Sequence, residues 1–250
     1  TLTANNSTVN LGGSFTQAGL GTFNRTGGTV NLTGTLNSGL TLDAATGSWN
    51  LLGTLNGGTV TGTGGAQLVA NGGTLSGVSL GANVSVADGI SLTIANGLTF
   101  LGGATITLNA AGNTTSLFAA PGTQTIGGNG AIVFAGSSAN NRLYLSNGGT
   151  TALTLGPNVT VRGQGDITQG SASTLINQGT IQADGAGWPL SISSSSFTNS
   201  GALNATNGAS LYISAATWSS SGTITANAST LTFSGNWSNT GTLTANNSTV

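Results

Sequence analysis

The chain has 250 residues, a formal net charge of -1 and only 3% charged residues, against roughly 25% in ordinary soluble domains. Three arginines, four aspartates and no lysine, glutamate, histidine, cysteine or methionine exclude the clustered cations that a nucleic-acid binder needs. They also exclude disulfides and thiolate metal sites, and no run of about 18 apolar residues is present to form a transmembrane helix.

Period-two alternation of apolar and polar residues marks half-buried strands. In chain order it begins with Leu2/Ala4 and Val9/Leu11, then Val30/Leu32, Trp49/Leu51, Leu92/Ile94 and Ile106/Leu108. NGG words at 56–58 and 71–73 supply turns between the strands. Large apolar residues open successive segments at Phe15, Leu36, Leu55 and Leu75, spaced 21, 19 and 20 residues. From about 110 to 170 the spacing loosens. AAGNTTSLFAAPG (110–122) reads there as a loop or widened turn. Leu153/Leu155 restores the alternation, followed by Ile181/Ala183, Leu190/Ile192, Leu203/Ala205, Leu211/Ile213, Ile224/Ala226, Leu231/Phe233 and Leu243/Ala245. The openers resume at Ile176, Phe197, Trp218 and Trp237, spaced 21, 21 and 19. No stretch has a helical period, and the strong helix formers Glu, Lys and Met are missing.

A period near 20 with strands and turns inside it is the signature of a solenoid. One such segment cannot bury enough apolar surface to stand alone, so stability must come from contact with the segments before and after it. Crossovers between parallel strands are almost always right-handed. The expected fold is therefore all-β: a right-handed single-stranded parallel β-helix of about 20 residues per rung and about 12 rungs. Residues 1–250 form one continuous domain in this reading, with irregular rungs or a loop at about 110–170. The openers Phe15, Leu36, Leu55, Ile176, Phe197, Trp218 and Trp237 are expected to form one apolar column. Thr1–Val9 and Thr242–Val250 both read TLTANNSTV, which suggests one unit of a longer tandem array.

Candidate chemistry is sparse. Arg142, Arg162, Asp166 and Asp184 form a possible polar cluster, suited to surface ion pairing or to a ligand. Asp166 and Asp184 are the one plausible carboxylate pair for general acid–base work, and no catalytic, cofactor or metal residue is assigned. Gly127–Ile132 has Ile where a calcium-binding roll requires Asp, and reads as a turn into the strand of Ile132 and Phe134. Trp188, Trp218, Trp237 and Tyr212 suggest either an apolar stack or a sugar-stacking face. The Thr-x-Thr pairs Thr59/Thr61, Thr105/Thr107, Thr223/Thr225 and Thr242/Thr244 raise ice binding as a remote alternative.

The phrases LTLGPNVTVRGQGDI (153–167), TLINQGTIQADGAG (174–187), FTNSGALNATNGASLYI (197–213) and WSNTGTLTANNSTV (237–250) resemble the repeats of large bacterial secreted surface proteins. These are the filamentous-haemagglutinin and autotransporter-like β-helix adhesins. The resemblance implies a right-handed β-helix, an extracellular or cell-surface location, and a role in adhesion or surface structure. The function expected is that of a non-enzymatic building block for a fibre or stalk. Its partners would be neighbouring copies of itself, with glycans or other surfaces a further possibility. The alternative is an adhesin shaft that presents binding loops or a separate tip domain.

Overall fold

A computed structural model describes residues 1–146 and 148–250. The chain winds into a β-solenoid of about 12 turns, 62% strand, whose strands pair parallel with their counterparts on neighbouring turns. At about 4.8 Å per turn the coil is about 60 Å long. Three ladders of stacked strands make its walls. The first runs from Ser7–Leu11 through Gly28–Leu32 and Trp49–Leu51 to Thr223–Asn227 and Thr242–Asn246. The second runs from Ser14–Phe15 through Thr35–Leu36 and Thr54–Asn56 to Thr230–Phe233. The third runs from Leu40–Leu42 through Thr59–Gly62 to Asn236–Asn239. At the N-terminus, Leu2–Ala4 pairs only with Phe23–Arg25, in a separate two-stranded ladder.

The alternation explains the core. Inward positions hold Leu, Ile, Val, Phe and Ala, and one apolar cluster runs without a break from Ala4 to Leu231. Each side chain meets its equivalent on the next turn, as in Val30 on Val9 and Leu211 on Leu190. Corners need backbone that few side chains allow. Asn6, Asn96, Asn207 and Asn247 take left-handed φ of 46–60°, which Asn tolerates better than most residues. At the corner between the third and first ladders, Gly179, Gly201, Gly222 and Gly241 stack so closely that a Cβ on any of the last three would strike the carbonyl of the glycine one turn below.

Buried amides complete the corners. Asn177 Nδ2 donates to Asn199 Oδ1 at 2.7 Å, and Asn199 Nδ2 donates to Ser220 Oγ at 3.0 Å. Asn141 is fully buried; its Oδ1 accepts from the Ala110 N–H at 3.0 Å and its amide nitrogen donates to the Ala135 carbonyl. Gln17, in the single helical turn Gln17–Leu20, imitates a strand. Its Oε1 accepts the Thr41 N–H and its Nε2 donates to the Thr41 carbonyl, which covers the first edge of the third ladder.

Three expectations are corrected. The openers do not share one column: Phe15, Leu36 and Leu55 stack on the second ladder, whereas Phe197, Trp218 and Trp237 stack on the third. The turns differ in length, and this breaks the phase. Leu68 pairs with Val84, 16 positions on; Ala104 with Gly130, 26 on; and Gly130 with Val159, 29 on. Secondly, Ile176 does not enter the third-ladder column. Leu175 pairs with Phe197 and is buried, while Ile176 pairs with Thr198 and faces outward; a slip of one residue reverses every side chain in a strand. Thirdly, the segment 110–122 is not simply a loop, because Thr115–Ala119 is a strand of the second ladder. Leu117 and Ala119 point inward there, and the outward Phe118 conceals the polar half of the alternation.

Candidate functional site

Parallel stacking turns the outward residues of each strand into rows along the coil. On the second ladder the early rows carry Ser14, Thr35, Thr54, Thr74 and Thr93. The later rows carry Ser191 and Ser193. Between them the character changes. One row runs Ser116, Arg142, Asp166, Ser191, and the row beside it Phe118, Tyr144, Thr168, Ser193. This patch falls on the longest turns, where the sequence period is loosest.

Its geometry is specific. The rings of Phe118 and Tyr144 meet edge to face, with centroids 5.2 Å apart and planes at 70°. Both side chains are half-buried. A hollow of about 160 Å³ on the Thr93 side of Phe118 is lined by Thr93, Phe118, Ala119, Ala120 and Pro121. Two positions along the strand, Arg142 Nε lies 3.9 Å from Asp166 Oδ2, beyond hydrogen-bond range. That Nε is covered by protein and has no hydrogen-bond partner among the described residues. Burial pushes the Asp166 carboxyl above its usual range, and the Arg142 charge and the Ser191 hydroxyl only partly offset this.

Arg162 and Asp184 are built differently. Arg162 Nη2 and Nε approach Asp184 Oδ2 at 2.7 and 2.9 Å, and Gln182 Nε2 adds a third donor at 3.3 Å. The Asp184 side chain is only 7% exposed. This pair lies at the end of a first-ladder strand, not on the second-ladder rows. The four residues expected as one cluster therefore form two separate ion pairs, and Asp166 and Asp184 are each held by an arginine of their own.

The other charges support turns. Asp43 accepts the N–H groups of Ala45 and Thr46. Asp88 Oδ1 accepts those of Ala111, Gly112 and Asn113, and its Oδ2 accepts from the Asn113 amide. The N–H of Thr46 for Asp43, and of Ala111 for Asp88, contribute most to holding these carboxyls below their usual range. Arg25 directs its guanidinium at the carbonyls of Gly27, Gly28, Thr46 and Ser48.

The tryptophans divide. Trp218 is buried and stacks on Trp237 at 5.3 Å with planes 14° apart, and Phe197 lies 6.5 Å away on the other side. Phe197 and Trp218 belong to the core, and Trp237, 49% exposed, lies on the end of their column in the last strand of the third ladder. Trp188, 56% exposed, stands in the corner after Asp184. Of the Thr-x-Thr pairs, Thr223/Thr225 lies directly under Thr242/Thr244 on the first ladder. Thr59/Thr61 lies on the third ladder, so these pairs do not form one face. Gly127–Ile132 is part of a strand in which Ile132 and Phe134 are buried.

The alternation of the strands made the inward residues legible. It concealed Phe118 and Tyr144 as a patch, because they are 26 positions apart and neighbours only across the long turn. Among the described residues, no helix is long and apolar enough to cross a membrane. Comparison with protein-family models, curated proteins and solved structures finds no match.

Proposed function

We propose that this chain is a structural segment of an extracellular or cell-surface fibre or stalk, of the kind built by bacterial secreted surface proteins, with no enzymatic role. The observation that carries the proposal is the single apolar core, continuous from Ala4 to Leu231 and enclosed by three parallel ladders. Such a body can extend along its axis, since successive turns of the three ladders present hydrogen-bonding edges to one another. The composition supports the reading. Like charges stacked turn on turn would repel, and with 3% charged residues the outer rows instead form uncharged ladders. Asn50 donates to Asn31 and Asn31 to Asn10, at 2.9 and 2.8 Å.

In this proposal the nonapeptide shared by residues 1–9 and 242–250 is where units join. The test is a fusion of two copies that overlap at that nonapeptide. Electron microscopy and small-angle scattering should show one straight rod about twice the length of the single chain, at about 4.8 Å per turn. Two rods joined by a flexible hinge would refute continuous stacking.

A further inference from the structure

We propose that the outer face of the second ladder around Arg142 and Tyr144 is a binding site for a neutral saccharide. This goes beyond the shaft reading and does not depend on the rod assembling end to end.

The contrast between the two ion pairs is the starting point. Arg162 and Asp184 are saturated: two short contacts join them, Gln182 adds a third, and Asp184 is nearly covered. Arg142 and Asp166 are left open. They stand 3.9 Å apart, their side chains are 37% and 39% exposed, and Arg142 Nε, itself covered, has no hydrogen-bond partner among the described residues. The Arg142–Asp166 attraction is thus not closed by a hydrogen bond, unlike that of Arg162 and Asp184, and both side chains keep part of their surface exposed.

The surroundings define the missing partner. Arg142 offers only donors and ionised Asp166 only acceptors. A hydroxyl does both: its oxygen can accept from the guanidinium while its O–H donates to the carboxylate. Adjacent hydroxyls on one ring would engage both groups, with Ser191 next in the same row. Tyr144 and Phe118 supply an apolar surface two positions along the same strands, and the hollow at Thr93, Phe118 and Pro121 extends it. Aromatic surface with a few converging polar groups is the usual composition of a small-molecule site. The charges of the patch cancel. An acidic sugar would meet Asp166 and a cationic one Arg142, so complementarity favours a ligand with many hydroxyls and no charge.

The experiment titrates the intact chain with neutral oligosaccharides of glucose, mannose and galactose, and with sialylated and sulfated oligosaccharides, by calorimetry. At least one neutral series should bind. Arg142→Gln and Asp166→Asn should each weaken that binding about tenfold or more, the loss expected for a hydrogen bond to a charged group, and Tyr144→Ala should weaken it about threefold or more through lost aromatic contact. Arg162→Gln, on the first ladder, should leave it unchanged. Circular dichroism of each variant checks that the coil is intact; should Arg142→Gln not fold, Tyr144→Ala, which removes only an outward ring, decides the matter. The proposal is overturned if no neutral oligosaccharide binds, if the acidic ones bind in preference, if folded Tyr144→Ala binds like the parent, or if Arg162→Gln abolishes binding.

Discussion

The side-chain amide of Asn177 donates to that of Asn199 one turn above, at 2.7 Å, with both residues fully buried at the end of the third ladder. The bond links successive turns at a corner where the backbone leaves the sheet, and Ser220 continues it upward.

Asn199→Ala should therefore lower stability by about 1–3 kcal/mol, the cost of leaving a buried donor or acceptor without a partner. Urea unfolding followed by circular dichroism would measure it. Asn37→Ala, in the exposed ladder of Ser14, Asn37 and Asn56, should cost under about 0.5 kcal/mol because water replaces the lost bonds.

Leu175 and Ile176 test the placement of the third ladder. Leu175 is buried beneath Phe197, and Ile176 faces outward. Leu175→Ala should cost about 2–5 kcal/mol, and Ile176→Ala less than about 0.5 kcal/mol. Thermal melts of the two variants settle the register; the reverse order would mean that the strand is turned over.

The stacked glycines should be intolerant of even one added methyl. A Cβ at Gly222 meets the Gly201 carbonyl, so Gly222→Ala should destabilise by about 1–3 kcal/mol through overpacking. Gly112 has open space around it and ordinary φ. Gly112→Ala should be neutral or stabilising by up to about 1 kcal/mol, through reduced freedom of the unfolded chain. Paired denaturation curves compare them.

Acid should loosen the turns at Asp43 and Asp88. Both carboxyls are held below their usual range by backbone N–H donors. Their stabilising contribution is complete above the unfolded value, about 3.9, and is lost as pH falls through the lower folded values. Asp166 has the opposite sign: its carboxyl is raised, so the folded state loses stability as pH rises from about 3.9 through the folded value. Protection of the Ala111–Asn113 amides against hydrogen exchange, taken relative to the intrinsic rate at each pH, should fall below about pH 4, and Asp88→Asn should make that protection less sensitive to acid. An unchanged acid response in Asp88→Asn would remove this carboxylate from the account.

Most of the wall was legible in the residues themselves. Val30/Leu32, Leu190/Ile192 and Leu211/Ile213 point inward as their alternation requires, because a strand with one buried face leaves no other choice. The open ion pair was not legible in the same way. Arg142 and Asp166 are 24 positions apart, and they meet because one turn happens to have that length at that ladder.

The nonapeptide TLTANNSTV marks the boundary between the two kinds of information. Its second asparagine takes nearly the same left-handed turn in both copies, with φ of 46° at Asn6 and 47° at Asn247. That turn is local and follows from the residues alone. Yet Leu2–Ala4 lies on a separate ladder with Phe23–Arg25, while the identical Leu243–Ala245 lies on Ile224–Ala226 in the first ladder. Sequence by itself determined an uncharged, all-β coil with a given inward face, since alternation and turn residues act over a few bonds. Only the tertiary structure decided which ladder each strand joined and which outward side chains became neighbours, because that depends on the summed length of every corner between them.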